Sequence, residues 1–143
     1  MKKAIYVLVM VVGLTSLATA EKNTDSLKEL VKAYEKVSTA LVKDDVGAAK
    51  KASAGLEKIA TATNLDKLSM SVAKFSKAET LKAMRVEYKA VSKELVKLVG
   101  NTEGYYVASC PMAKAEWVQT KTKISNPFMG KKMPACGMLK TKR

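Results

Sequence analysis

Residues 81–98 read LKAMRVEYKAVSKELVKL, and their apolar side chains recur at alternating spacings of three and four. This repeat matches the period of an α-helix and places one apolar stripe along the segment. The stripe consists of Leu81, Met84, Tyr88, Val91, Leu95 and Leu98. Gly100 follows, and glycine favours the end of a helix. The stretch therefore predicts a long amphipathic helix that must bury one face against other elements.

The segments before it repeat the same pattern. The apolar positions are Leu27, Leu30, Val31, Tyr34, Val37 and Leu41 in the first segment, Ala49, Ala52, Leu56, Ile59, Ala60 and Thr63 in the second, and Leu65, Leu68, Val72 and Phe75 in a short third. Proline is absent between residues 24 and 99. Several amphipathic helices with short connections predict an all-α protein, an up-and-down three- or four-helix bundle over residues 21–100.

Helix boundaries are also predicted by polar residues. Two capping boxes occur, Ser26 to Glu29 before the first helix and Ser76 to Glu79 before the last. In this motif the serine and glutamate side chains satisfy free backbone N–H groups at a helix start. Asp44 and Asp45 are expected to end the first helix and cap the second.

The first twenty residues, MKKAIYVLVMVVGLTSLATA, have the three parts of a secretory signal peptide. Lys2 and Lys3 form a basic head, an apolar run follows, and small residues precede a predicted cut after Ala20. The apolar run is shorter than the roughly 20 residues that span a bilayer. We expect residues 1–20 to be removed and residues 21–143 to form a single domain that is periplasmic or secreted.

The chain carries a formal net charge of +13 and contains no histidine. A basic excess often indicates nucleic acid. However, the lysines are spread along helical patterns and the predicted location lies outside the cytoplasm, so no nucleic-acid partner is expected. A solvated surface accounts for most of the charge, and contact with an anionic envelope surface is the alternative. Without histidine, and without a nucleophile, base and orienting group in a recognisable pattern, we expect no enzyme.

Residues 101–143 differ sharply from the helical part, and we expect an irregular C-terminal lobe there. All three prolines, both cysteines and the only tryptophan lie in this segment. Cys110 and Met112 form a Cys-x-Met pair, and Met133 lies close before Cys136. Thiolate and thioether ligands select Cu(I) because soft sulfur matches a soft ion. The sequence therefore predicts a Cu(I) site made by Cys110, Met112, Met133 and Cys136.

A disulfide between Cys110 and Cys136 is the competing interpretation. Two cysteines in an exported protein are the expected number for one bridge. Closing this loop would stabilise the fold by roughly 3 to 4 kcal/mol on the chain-entropy model. Oxidised cysteines cannot donate thiolates, so the bridge and the metal site exclude each other at any one moment.

Other residues of the lobe are expected to be structural or to support interactions. Trp117 is predicted to anchor the lobe on the helices, since a large ring packs efficiently. Asn126 and Pro127 indicate a turn, and Gly130 permits a tight backbone there. With Phe128 they form a segment that would bring Cys136 back toward Cys110.

These motifs, YYVASCPMA at 105–113, Trp117, ISNPFMGKKM at 124–133 and ACG at 135–137, resemble a family of small periplasmic domains of unknown function. Members of that family occur alone or appended to heavy-metal efflux adaptor proteins. Ser109 stands where members often have histidine, and Pro134-Ala135 replaces a common Leu-x pair before the second cysteine. The resemblance implies an envelope location, soft-metal handling and heavy-metal efflux components as partners. Together these expectations predict a non-enzymatic copper-type binding or metal-efflux accessory protein, or alternatively a disulfide-stapled structural or interaction module.

Overall fold

The computed structural model describes residues 16–140, and the side chains from residue 24 onward. Four α-helices come first: α1 (Ser16–Val42), α2 (Val46–Ala62), α3 (Asp66–Ser76) and α4 (Leu81–Val99). Three short strands and a 3-10 helix follow: β1 (Tyr106–Cys110), β2 (Ala115–Gln119), the 3-10 helix Gly130–Lys132 and β3 (Met138–Leu139). Most of the predicted signal peptide lies outside the described residues. In the described part of the chain no helix is long and apolar enough to cross a membrane.

Helices α1 to α4 form a bundle because their apolar stripes meet. Each helix packs on the next one along the chain, and α1 also contacts α4. The connections between the helices are three or four residues long, which favours antiparallel neighbours. The residues predicted for the stripes of α1 and α4 are buried, except that Leu27 and Leu81 are partly buried and Leu98 is 40% exposed, with Val99 buried in its place. The predicted helical bundle is therefore confirmed, with four helices.

The polar residues mark the helix ends only in part as predicted. Asp45 caps α2, and its carboxylate accepts a hydrogen bond from the Ala48 N–H at 2.8 Å. The capping-box predictions are wrong, because α1 continues through Ser26 and the side chain that caps α4 is that of Thr80. Helix α1 starts earlier, at Ser16, so the N–H groups near Ser26 are already within the helix.

The prediction of an all-α protein with an irregular C-terminal lobe is wrong in one respect, because the lobe contains a β-sheet. Its strands form a three-stranded antiparallel sheet in the order β2-β1-β3. Strands β1 and β2 form a hairpin whose turn spans residues 111–114. Such short strands carry too few alternating residues for a period of two to stand out from loop sequence. The protein is thus mostly helical, with a small sheet in its C-terminal part.

One face of this sheet packs on the bundle. Ala108, Cys110 and Trp117 lie on the inner face and are buried in the same core as the helices. Phe128 joins the two parts, because its ring lies 5.8 Å from that of Tyr88 in α4 and 6.0 Å from that of Trp117. Ser109 and Met138 are paired opposite each other, and Met138 is 59% exposed. The alternation along β1 therefore directs Cys110 toward the helices.

Candidate functional site

The two cysteines, far apart in sequence, meet at one end of the sheet, where its central strand β1 ends. Cys110 is the last residue of β1, and Cys136 lies just before β3, which pairs with β1. Their Sγ atoms are 3.0 Å apart, and both cysteines are free thiols. Cys110 is 1% exposed, whereas Cys136 is half-buried. The topology of the lobe therefore brings together the pair that both the metal and the disulfide interpretations require.

A third sulfur lies beside them. The Sδ atom of Met112, in the hairpin turn, is 3.9 Å from the Sγ atom of Cys136. Met112 is 65% exposed, so its thioether lies at the surface while the Cys110 thiol lies beneath. We call Cys110, Met112 and Cys136 the sulfur triad. In the described part of the chain no group of three His, Cys, Asp or Glu side chains is placed to hold a metal.

Met133, the fourth predicted metal ligand, contacts the site through its main chain. Its carbonyl oxygen accepts a hydrogen bond from the Cys136 N–H at 3.1 Å, and its side chain is half-buried. This bond closes the turn that presents Cys136. The structure thus brings together three of the four predicted sulfur ligands and ties Met133 to them by its backbone.

The two thiols have different electrostatic environments. Burial raises the pKa of Cys110. Hydrogen bonds from the Cys136 thiol, the N–H groups of Ala113 and Met112, and the Asn126 side chain outweigh burial, so the pKa ends below its ordinary value. The pKa of Cys136 is raised, chiefly because its thiol proton is held in the hydrogen bond to Cys110. Cys110 is therefore the thiol of the pair that loses its proton first, and its thiolate would accept a hydrogen bond from the Cys136 thiol.

Asn126 holds the segment that carries Cys136. Its side chain is fully buried, and its Nδ2 donates to the Cys136 carbonyl at 2.6 Å. Its Oδ1 accepts from the N–H groups of Phe128 at 2.8 Å and Met129 at 3.2 Å. The turn predicted at Asn126 and Pro127 is therefore built around a buried amide whose polar atoms also position a cysteine.

An ion pair that the sequence analysis did not identify fixes the lobe on the bundle. Arg85 of α4 donates to the carbonyl oxygens of Pro127 and Leu41, each at 2.9 Å, and pairs with Asp44. The other carboxylate oxygen of Asp44 accepts from the Lys131 N–H at 3.3 Å. Gly130 has a φ of 55°, and a side chain there would overlap the Asp44 carboxylate and the Arg85 guanidinium. Arg85 is one of only two arginines in a lysine-rich chain, and this rarity could have indicated a structural role for it.

Gln119 joins the end of β2 to the loop that follows it. Its Oε1 accepts from the Trp117 indole N–H at 3.0 Å and the Ser125 N–H at 3.3 Å. Its Nε2 donates to the Lys123 carbonyl at 3.0 Å. These bonds fix the ring of Trp117, the residue predicted to anchor the lobe. No pattern in the sequence distinguished this glutamine from a surface residue.

Comparison with known proteins matches a family model described as Protein of unknown function (DUF3347) to residues 30–105. The matched range begins in α1, covers α2 to α4 and ends at the residue before β1. The sulfur triad and Asn126 therefore lie beyond the matched range. No curated protein and no solved structure matches the chain.

Proposed function

Since the chain belongs to the DUF3347 family of proteins of unknown function, we propose a function from its own site: non-enzymatic binding of Cu(I) by the sulfur triad. The observation that carries the proposal is the meeting of three sulfur atoms, with 3.0 Å between the cysteine Sγ atoms and 3.9 Å from Cys136 Sγ to Met112 Sδ. Two thiolates and a thioether form a soft ligand set suited to Cu(I).

The electrostatics of the pair support binding at Cys110. A thiolate, not a thiol, is the metal ligand, and the pKa of Cys110 is lowered by the N–H groups and the thiol around it. Binding to both cysteines as thiolates would release the two thiol protons of the pair. The exposed thioether of Met112 would then complete the site from the solvent side.

Metal binding requires the two Sγ atoms to separate from 3.0 Å. A metal–thiolate bond is about 2.3 Å long for zinc, so two thiolates on one small ion stand about 4 Å apart. Cys136 is the residue expected to move, because it lies in a short turn at the surface while Cys110 is fixed in β1. Met133 stays a predicted fourth ligand. Its carbonyl closes the turn that carries Cys136, so a movement of Cys136 would also move Met133.

In the cell we propose export by the signal peptide, residues 1–20, and a role as a periplasmic or secreted accessory of heavy-metal efflux components. The resemblance of the motifs in the lobe supports this role. The high positive charge is compatible with an anionic envelope surface around the protein.

The alternative is a structural or protein-interaction module stapled by a Cys110–Cys136 disulfide. The 3.0 Å separation favours it as well, because the sulfurs need to approach by only about 1 Å to reach the bond length. Forming the bond removes two electrons and two protons, so it needs an external oxidant such as the disulfide of a thiol oxidoreductase. In that state the protein would bind no Cu(I) through its cysteines.

Two measurements separate the candidates. Thiol titration of protein isolated without reductant reports the bridge, and anaerobic competition of the reduced protein with a colorimetric Cu(I) chelator reports the metal site. We expect one Cu(I) per chain, with binding abolished in Cys110→Ser and Cys136→Ser. A reduced wild-type protein that fails to compete for Cu(I) would leave the disulfide module as the function.

The thioether has a matched control. Met112→Leu is expected to weaken Cu(I) binding by about tenfold, the effect of losing one weak ligand. Met70→Leu should leave Cu(I) affinity unchanged, because Met70 lies on α3 and is 63% exposed, closely similar to Met112. Met133→Leu then decides whether the fourth predicted ligand belongs to the site.

A further inference from the structure

A basic cleft lies between α4 and the β1–β2 hairpin, next to the sulfur triad. It has a volume of about 640 Å³, within the range of ligand-binding clefts. Its lining includes Lys89, Lys93 and Lys97 from α4, and Pro111, Lys114 and Ala115 from the hairpin. The cleft therefore has lysines on both walls and short apolar side chains between them.

The charges of the cleft are only partly neutralised within the protein: Lys97 pairs with Glu94 at 2.8 Å, and the Lys89 ammonium donates to the Ala113 carbonyl at 2.6 Å. Lys89, Lys93 and Lys97 are spaced four residues apart, so they form one exposed row along α4, and like charges at this spacing repel. Glu116, the acidic residue among those lining the cleft, pairs with Lys140 at 2.6 Å. Across residues 24–140, neither Lys93 nor Lys114 forms an ion pair within the chain. The cleft is therefore complementary to an anionic ligand.

The length of the cleft indicates what kind of anion it fits. The row from Lys89 to Lys97 covers about 12 Å of helix, at 1.5 Å per residue. A single carboxylate or phosphate reaches only one or two of these lysines, whereas about four residues of extended peptide span the row. Val96, Pro111 and Ala115 offer apolar contacts to alternate side chains of such a peptide.

We propose that this cleft binds an acidic, extended segment of a protein partner. Cys110 forms part of the cleft wall, so a bound segment lies beside the sulfur triad. The proposal goes beyond Cu(I) binding, because none of the lysines and apolar residues that carry it is a proposed copper ligand. It therefore applies to the reduced protein without any metal.

The test is fluorescence anisotropy with a labelled six-residue peptide of alternating glutamate and leucine, on the reduced, metal-free protein. The cleft variant is Lys93→Gln with Lys114→Gln, and the control is Lys51→Gln with Lys58→Gln on α2. All four lysines are exposed, so both variants remove the same charge from the surface. We expect about a tenfold higher Kd for the cleft variant and less than about a twofold change for the control.

Three further readouts bear on the proposal. Raising NaCl from about 50 to about 300 mM should weaken peptide binding, because exposed charges are screened. A peptide with glutamine in place of glutamate should not bind. Unchanged thermal midpoints of both variants would show that the folds are intact, as expected for exposed lysines.

Equal weakening of peptide binding by the cleft variant and the control would overturn the proposal, since it would reduce the effect to net charge. Sedimentation with phosphatidylglycerol vesicles provides the last arm. If vesicles bind through Lys93 and Lys114 and the acidic peptide does not, the cleft recognises a membrane surface and the peptide proposal is wrong.

Discussion

Replacement of Asn126 by alanine should strongly destabilise the protein. The buried amide serves three backbone groups: the carbonyl of Cys136 at 2.6 Å and the N–H groups of Phe128 at 2.8 Å and Met129 at 3.2 Å. Alanine cannot replace any of these bonds. The three groups would be left without their partner in a region where Asn126 itself is 0% exposed.

The magnitude follows from these three bonds. A buried polar group that loses its partner costs about 1 to 3 kcal/mol. Phe128 is nearly buried and bears the full cost, whereas Met129 and Cys136 are half-buried and can recover part of it from water. We expect a total loss of about 4 kcal/mol, a large share of the roughly 5 to 15 kcal/mol that stabilises a typical domain.

Urea unfolding followed by far-UV circular dichroism measures this loss. The midpoint should fall with no change in the slope, and the thermal midpoint should fall by about 12 °C. A loss of less than about 1 kcal/mol would refute the reasoning, because it would mean that the amide does not organise the segment.

Asn126→Asp provides a sharper second test of the same bonds. The aspartate keeps an acceptor for Phe128 and Met129 but loses the donor to Cys136, and it adds a negative charge near Cys110. The pKa of Cys110 should therefore rise relative to the wild type, which thiolate absorbance measures. An unchanged or lower Cys110 pKa would contradict the assigned role of the amide.

Three further predictions concern the bundle and its contact with the lobe. Gly130→Ala should lower the free energy of unfolding, measured in urea, by about 3 kcal/mol, because the new side chain would overlap the Asp44–Arg85 pair. The control Gly55→Ala in α2, where the space is open, should instead raise it by about 0.5 kcal/mol. Equal effects of the two variants would contradict the assigned packing. The hydrogen bond from Arg85 lowers the pKa of Asp44, so wild type should have a larger free energy of unfolding than Asp44→Asn at neutral pH. This difference should vanish as the pH falls through the lowered pKa. A difference in the free energy of unfolding that stays constant with pH would refute the prediction. Burial raises the pKa of Tyr34 to about 12, so the stability that its neutral hydroxyl contributes should be lost as the pH rises above about 10. The tyrosinate absorbance of Tyr34 should therefore appear together with unfolding and not before it.

The helical part of this fold could be predicted from the sequence because long stripes repeat the same period. Tyr88 and Val91 of α4 are both buried as their spacing requires. Helix ends were harder to predict, since Ser26 has the residues of a capping box but lies inside a longer helix. A local motif indicates a helix start only if the chain before it is not already helical.

The lobe was less predictable because its structure depends on contacts between distant residues. The meeting of Cys110 and Cys136 was expected from the turn at Asn126, and the two sulfurs do meet. The hairpin was missed, although Val107 and Trp117 favour strands, because each strand is only five residues long. The roles of Arg85 and Gln119 depend on backbone carbonyls that come near them only after folding.

The contact between Gly137 and Trp117 makes the intrinsic tryptophan fluorescence sensitive to the segment that carries Cys136. A side chain at Gly137 would lie 2.9 Å from the indole ring, so the backbone next to Cys136 rests directly against the only tryptophan of the chain. Any displacement of Cys136 must change the surroundings of that ring. Emission from Trp117 should therefore follow movements of the cysteine segment without an added label, and it makes their rates accessible to stopped-flow measurement.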